Sequence, residues 1–275
     1  MTEAHRHGAG AEAISQGWDQ YTPEDHHRWR RLYKRQMKVL PGRACVEFLD
    51  GLRKLDMSRG IPRFEDVNKV LKETGWEVVG VAGLVEDADF FAYLAKRQFP
   101  STCFLRREDQ FDYIVEPDIF HDGFGHLPML MNPVVADYMQ EYGKGGLKVL
   151  SDRRKLKQLA RLYWYTIEFG LVQTSEGLRI YGSGIVSSPK ESVNSLEHPL
   201  PLRLPFDLVR VMSTHYEIDH EQDVYFVIPS IKDLIDVTMR DFAKDKVYEK
   251  VARRREILPG FRRWGEKNIP PNHVA

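Results

Sequence analysis

His121 and His126 stand five residues apart in the segment Glu116-Pro117-Asp118-Ile119-Phe120-His121-Asp122-Gly123-Phe124-Gly125-His126, among carboxylates and glycines. Farther on, Glu168 is the one charged residue in the run Leu162-Tyr163-Trp164-Tyr165-Thr166-Ile167-Glu168-Phe169-Gly170-Leu171-Val172. A lone carboxylate there is costly to bury unless something positive meets it. A metal held by His121 and His126 would do so. Two imidazoles and one carboxylate on one face of an ion, with positions left open, is the non-haem Fe(II) oxygenase arrangement. Spacing alone leaves the bland alternative open, in which both histidines are polar helix residues and Glu168 meets an arginine.

Each residue of an α-helix turns about 100°, so a five-residue step leaves two side chains about 140° apart. The histidines therefore cannot share an ion from a regular helix interior. A frayed or tightened first turn is expected, which Gly123 and Gly125 permit. The spacing argues against a zinc protease, whose histidines lie at i and i+4 with a glutamate after the first. Trp164 precedes Glu168 by one helical turn and is expected beside the metal.

These residues must be carried by a chain of 275 residues with 42% hydrophobic content, enough for a sizeable core. The 40 basic and 40 acidic side chains cancel and no polybasic block stands out, which argues against nucleic acid or an anionic membrane as main partner. Arg153-Arg154-Lys155 and Arg253-Arg254-Arg255 read as solvated faces. Cys45 and Cys103 have no metal-ligand spacing and sit among apolar neighbours, so buried free thiols are expected. The first 17 residues are polar and no later stretch is long enough to span a bilayer, so a soluble cytoplasmic protein is expected. Residues 1–17, with His5 and His7, read as a disordered tail, 18–265 as one domain and 266–275 as a polar C-terminal tail.

Helical periodicity dominates, giving a mainly α fold with a few short strands. Thr22-Pro23-Glu24-Asp25 opens a helix that Pro41-Gly42 stops. A second helix carries Cys45, Phe48, Leu49, Leu52 and Leu55, and a third ends at Gly75. Trp76 to Val81 reads as a strand, Asp87 opens a helix, and Phe111 to Val115 reads as extended. Helices are expected from Pro117, from Pro133 to a stop at Gly143, and from Ser151-Asp152 to about Gly170. Ile180 to Ser188 reads as a strand with a tight turn. A proline-rich loop (Pro199, Pro201, Pro205), two helices and a strand around Tyr225 to Ile228 follow.

Three ordered blocks resemble the pterin-dependent aromatic amino acid hydroxylases: Glu116-Pro117-Asp118-Ile119 with His121 and His126; Tyr163-Trp164-Tyr165-Thr166-Ile167-Glu168-Phe169-Gly170; and Tyr181-Gly182-Ser183-Gly184-Ile185-Val186-Ser187-Ser188. Gly83-Leu84-Val85 leading to Asp89-Phe90 matches the family's pterin-side segment. The likeness covers roughly residues 20 to 245 and is nearest to the short bacterial members that act on phenylalanine. It implies that family's catalytic-domain fold, with Fe(II) on His121, His126 and Glu168. Phe90 would stack on tetrahydrobiopterin or a related tetrahydropterin, with Val85, Asp87, Tyr163 and Asp122 around it. Arg106 would hold the substrate carboxylate, oriented by Asp118, with Ser187 adding a hydrogen bond and Trp164, Pro117 and Phe169 forming the ring pocket. The reaction implied is hydroxylation of L-phenylalanine to L-tyrosine with O2, the first step of phenylalanine catabolism, by a monomer. Tryptophan or tyrosine is the alternative substrate, and a catalytically silent metal-binding protein the remote alternative. In the animal enzymes a glutamate follows the first histidine where this chain has Asp122, and a threonine stands where it has Ile114; neither change touches the iron ligands.

Overall fold

The computed structural model describes residues 12–218, 220–238 and 240–272, so His5 and His7 lie outside the described residues. Helix α1 (Pro23–Val39) starts on a capping box in which the Thr22 hydroxyl accepts from Asp25 N at 3.2 Å and Asp25 Oδ2 accepts from Thr22 N at 2.9 Å. Its apolar face buries Trp29 and Leu32. Helices α2 (Val46–Leu55) and α3 (Phe64–Leu71) follow, and a short 3-10 turn after α3 ends at Gly75 with φ 75°.

Strand β1 (Glu77–Val81) runs through helix α4 (Asp87–Ala95) to strand β2 (Gln98–Thr102), and the two strands pair in parallel. Sequence patterning missed β2 because Pro100 sits inside it. An edge position tolerates proline, since one side of the strand needs no ladder donor. The segment 111–117 finds no strand partner. It is a loop pinned by Phe111, whose ring lies under the guanidinium groups of Arg31 (4.4 Å) and Arg35 (4.5 Å).

Helix begins at Ile119 rather than at Pro117, because Asp118 serves as its cap and Asp118 Oδ1 accepts from His121 N at 3.1 Å. A π-helical segment (His121–His126) passes into α5 (Leu127–Leu130). Helix α6 (Pro133–Leu147) does not stop at Gly143 but runs through it. A Cβ there would lie 2.5 Å from Ala95 N, so the glycine serves the close approach of α4 to α6 rather than a helix end.

Asp152 caps α7 (Arg153–Tyr163), which continues as a second π-helical segment (Trp164–Glu168) before β3 (Gly170–Thr174) and β4 (Gly177–Ile180). The stretch 180–188, expected as a strand with a tight turn, is instead the end of β4 followed by the single turn α8 (Ser183–Val186). Tyr181 N and Gly182 N both donate to Gly170 O, which closes the ladder and turns the chain. Helix α9 (Pro189–Glu197) leads to β5 (Leu202–Pro205), which takes up part of the expected proline-rich loop. Helix α10 (Leu208–Ser213), β6 (Val224–Ile228), α11 (Asp233–Thr238) and α12 (Val247–Ala252) complete the order.

The larger sheet has the order β4-β3-β6-β5, antiparallel only between β3 and β4. Its β6 is buried along its whole length, and Tyr165 packs edge-on against Phe226 from above. Arg203, fully buried in β5, donates to the carbonyls of Asn194, Ser195, His198 and Pro201, satisfying orphan acceptors around the end of α9.

The body extends past both expected domain edges. Ile14 N donates to Gly80 O, and the Gln16 amide bonds Pro62 O and Phe64 N, so residues 14–16 are docked on the body. At the other end Ile269 N donates to Arg203 O and Asn272 N to Leu196 O. Among the described residues, Gln16 and Asn272 within the two expected tails thus bond backbone groups of the body.

Candidate metal centre

The five-residue histidine spacing is resolved by widening the helix, not by tightening or fraying its first turn. In a π-helix the hydrogen bonds run from i to i+5, which brings His121 and His126 onto one side. Their rings stand nearly perpendicular (87°) with centroids 5.0 Å apart and Nε2 atoms 3.2 Å apart. Glu168 ends the second π segment, where Phe169 N donates to Trp164 O, five residues back, at 2.8 Å. Its Oε1 lies 3.1 Å from His126 Nε2 and its Oε2 lies 3.6 Å from His121 Nε2. The three ligand-type atoms lie within 4.8 Å of one another.

Close approach of α8 makes this convergence possible. A Cβ on Gly125 would stand 2.9 Å from Ser183 O, so only glycine lets the first π segment meet α8. From there Ser183 Oγ reaches Glu168 Oε2 at 2.9 Å. Ser187 Oγ donates to Ser183 O at 2.8 Å, so toward His121 Nδ1, 3.0 Å away, it is the acceptor. That fixes the proton of His121 on Nδ1 and leaves Nε2 with a lone pair facing the centre. Phe99 from β2 lies against the His126 ring, centroids 4.8 Å apart.

The electrostatics favour the ligand-ready forms. Burial pushes His121 down to about 4, against the pull of Glu168. Burial alone would raise Glu168, but the His126 and His121 imidazoles and Ser183 outweigh it and hold the carboxyl at about 2. Glu168 has no arginine or lysine partner among the described residues. His121 Nε2, His126 Nε2 and the Glu168 carboxylate thus face one another, a donor set that a divalent cation completes and that fits iron.

Beside it lies a second charged element. Arg106, 5% exposed, donates from Nε and Nη2 to the two oxygens of Asp118 at 2.9 and 2.8 Å, and its backbone N also donates to Asp118. Asp118 is wholly buried; burial works against its ionisation, and the Arg106 guanidinium more than offsets it, holding the carboxyl below its usual range. The Nη1/Nη2 edge of Arg106 is the one a ligand carboxylate can use. Trp164 lies between Phe169 (4.6 Å) and Tyr216 (4.4 Å, 16° between planes), and its Nε1 donates to Gln222 Oε1 at 2.8 Å. Pro117 is half-buried at the head of the Asp118 helix.

A family model described as biopterin-dependent aromatic amino acid hydroxylase matches residues 3–253. The chain belongs to that family. It is 55% identical over 254 residues to a phenylalanine-4-hydroxylase of Caulobacter vibrioides, covering 90% of this chain and 85% of that relative. A solved phenylalanine hydroxylase of Chromobacterium violaceum with bound Fe(III) is 48% identical, with TM-score 0.91 over 96% of each chain. A structure of that enzyme bound to iron and phenylalanine is 47% identical, with TM-score 0.87 over 94% of each chain.

In this biopterin-dependent hydroxylase, Phe90, Tyr163, Val85, Asp87 and Asp122 are the residues expected beside the pterin. Phe90 on α4 meets Tyr163 edge-on at 5.6 Å, and Tyr163 lies along the His126 ring at 6.4 Å. Val85 is half-buried on the approach to α4, and Asp87 is exposed at its first position. Asp122 is buried, and its Oδ2 accepts from Thr102 N at 2.8 Å and from Thr102 Oγ1 at 2.9 Å. Burial pushes that carboxyl up to about 7, against His126 and the Thr102 donors. Asp122 thus ties the first π segment to β2. Sequence reading missed Ser183, Phe99, Tyr216 and Gln222. Ser183 stood inside a quoted block without a role; the others carry no local signal, since their importance comes from what folds against them.

Proposed function

We propose that this biopterin-dependent hydroxylase converts L-phenylalanine to L-tyrosine with O2 and tetrahydrobiopterin or a related tetrahydropterin at an Fe(II) ion, as the first step of phenylalanine catabolism. The observation that carries the reading is the convergence of His121 Nε2, His126 Nε2 and Glu168 beside the buried Arg106–Asp118 pair. The identity to phenylalanine-4-hydroxylases supports the choice of ring.

In this reading His121, His126 and Glu168 hold the iron, leaving the opposite face open. Bound iron supplies the redox centre and the pterin two electrons. The chain's own residues bind and orient. Ser187 holds the His121 tautomer, and Ser183 restrains the Glu168 oxygen. Arg106, pre-aligned by Asp118, takes the substrate carboxylate, and Trp164 with Phe169 and Pro117 walls the ring pocket. Ser187 bonds His121 and Ser183 on the metal side, and its second lone pair is still free to accept from the substrate's amino acid end. Phe90 and Tyr163 offer the apolar faces for a pterin.

We read the protein as a cytoplasmic monomer. Its two cysteines are free, as suits a reducing compartment, and no helix among the described residues is long and apolar enough to cross a membrane. The test is product analysis with each of phenylalanine, tyrosine and tryptophan, Fe(II) and a tetrahydropterin. Tyrosine formed from phenylalanine at the highest kcat/KM is the expected result; a preference for tryptophan or tyrosine would overturn it.

A further inference from the structure

The ring of Trp164 is held from three sides. Phe169 and Tyr216 cover its faces, and Gln222 accepts from its edge. Gln222 is 6% exposed and comes from the connection between α10 and β6, far from Trp164 in sequence. Both polar atoms of its side chain are used. Oε1 accepts from the indole N–H at 2.8 Å, while Nε2 donates to Glu217 O at 3.0 Å and to His220 O at 3.3 Å. Its backbone N donates to Glu191 Oε1 at 3.2 Å, and Glu191 in turn accepts from the Tyr225 hydroxyl in the fully buried β6.

One side chain therefore closes the connection on itself and fastens it to the indole. The fastening also sets where Tyr216 lies, because Tyr216 and Gln222 bracket the same connection. A buried amide with all its donors and acceptors filled is rigid, and removing one partner leaves others unsatisfied.

We propose that Gln222 is a positioning residue for the aromatic wall of the substrate pocket: it locks the Trp164 indole to the Tyr216 connection and so sets the pocket's fit to the substrate ring. The inference rests on the proposed reading of Trp164 as a pocket wall. Gln222 reaches neither iron ligand and makes no contact with Phe90 or Tyr163 among the bonds described. Its loss should weaken ring binding and leave iron and pterin alone.

The experiment compares wild-type holoenzyme with Gln222→Met, which keeps the side chain's length and removes its hydrogen bonds, and with Gln222→Glu, which keeps an acceptor for the indole. Two readouts are taken. The first is KM and kcat for phenylalanine with KM for the tetrahydropterin and iron content. The second is the ultraviolet resonance Raman signature of the Trp164 indole N–H, isolated by subtracting the Trp164→Phe spectrum. For Gln222→Met we expect KM for phenylalanine to rise about tenfold, the size of one lost buried hydrogen bond. We expect kcat to stay within about twofold, iron content and pterin KM to hold, and the indole signal to shift to a weaker hydrogen bond. Gln222→Glu should keep the indole signal, and since its carboxylate cannot donate to Glu217 O and His220 O, phenylalanine KM should rise, by less than in Gln222→Met. If Gln222→Met does not fold, Gln222→Glu carries the test, and loss of its indole signal overturns the lock. An unchanged phenylalanine KM, or a fall in kcat together with iron loss, also overturns it. If wild type does not act on phenylalanine, the proposed function fails; the Raman comparison, which needs no turnover, still decides the lock.

Discussion

The metal centre and the Arg106–Asp118 pair beside it are both built from buried charge, yet they are finished in different ways. On the metal side, His121 Nε2, His126 Nε2 and Glu168 point at one another, and Glu168 has no arginine or lysine partner among the described residues. On the side proposed to face the substrate, Arg106 already holds Asp118 through two hydrogen bonds, with the carboxylate wholly buried. The first set is incomplete without a metal. The second is complete without a substrate and offers one outer edge of a rigid ion pair. Buried like groups are tolerable where a permanent ligand of opposite sign neutralises them. A group that must wait for a transient substrate needs a partner of its own in the meantime.

Removing a ligand should break the first side outright. Glu168→Ala or His121→Ala is expected to lower iron content by ~10-fold or more and to abolish turnover, since outer partners of a metal alone cost 10–100-fold. The core does not depend on either side chain, so the fold should survive. Metal analysis with circular dichroism checks this; full iron occupancy in either variant would sink the ligand assignment.

Breaking the second side should leave the metal in place. Arg106→Ala is expected to cost about 2–5 kcal/mol of phenylalanine affinity, read as a raised KM, with iron retained. It also strands the buried Asp118 carboxylate, so stability should fall by about 3–5 kcal/mol. Steady-state kinetics and urea titration measure the two effects. Asp118→Asn separates them, since it keeps an oxygen for His121 N while removing the ion pair.

A smaller effect tests the Ser187 assignment, where metal and substrate roles compete. Ser187→Ala should weaken Fe(II) affinity by about 10–100-fold through the freed His121 tautomer, with KM for phenylalanine little changed. Metal titration against a chelator gives the answer, and a shift in KM alone would return Ser187 to the substrate.

The mildest test concerns pH behind the aromatic wall. Burial raises the Glu191 carboxyl from its ordinary 4.5 to about 7, with Tyr225 and Gln222 pulling the other way. A carboxyl whose folded value is raised binds its proton more tightly in the native state. Its stabilisation is present below the unfolded value and is lost as pH rises through about 7. Glu191→Gln should therefore flatten the decline in stability across that window, by up to about 3 kcal/mol. Chemical denaturation at both ends of the window measures it, and identical slopes in both proteins would contradict the shift.

Much of this was legible in the chain because the signals are short-range. The Thr22 capping box, the Asp152 cap and the apolar stripe of α1 act over one or two turns, and the observed elements follow them. The three metal-facing residues could be nominated from type and surroundings. What the chain could not reveal was how a five-residue spacing becomes a shared site. That answer is a π-helix, set by packing Gly125 against Ser183 and not by any local preference. Gly143, read locally as a stop, is spent on the approach of α4. Residue types and spacing thus determined which side chains could hold a metal. Only the tertiary structure decided that Ser187 serves His121, that Asp122 serves Thr102, and that Gln222 serves Trp164, because each pairing joins segments that meet only when the core closes.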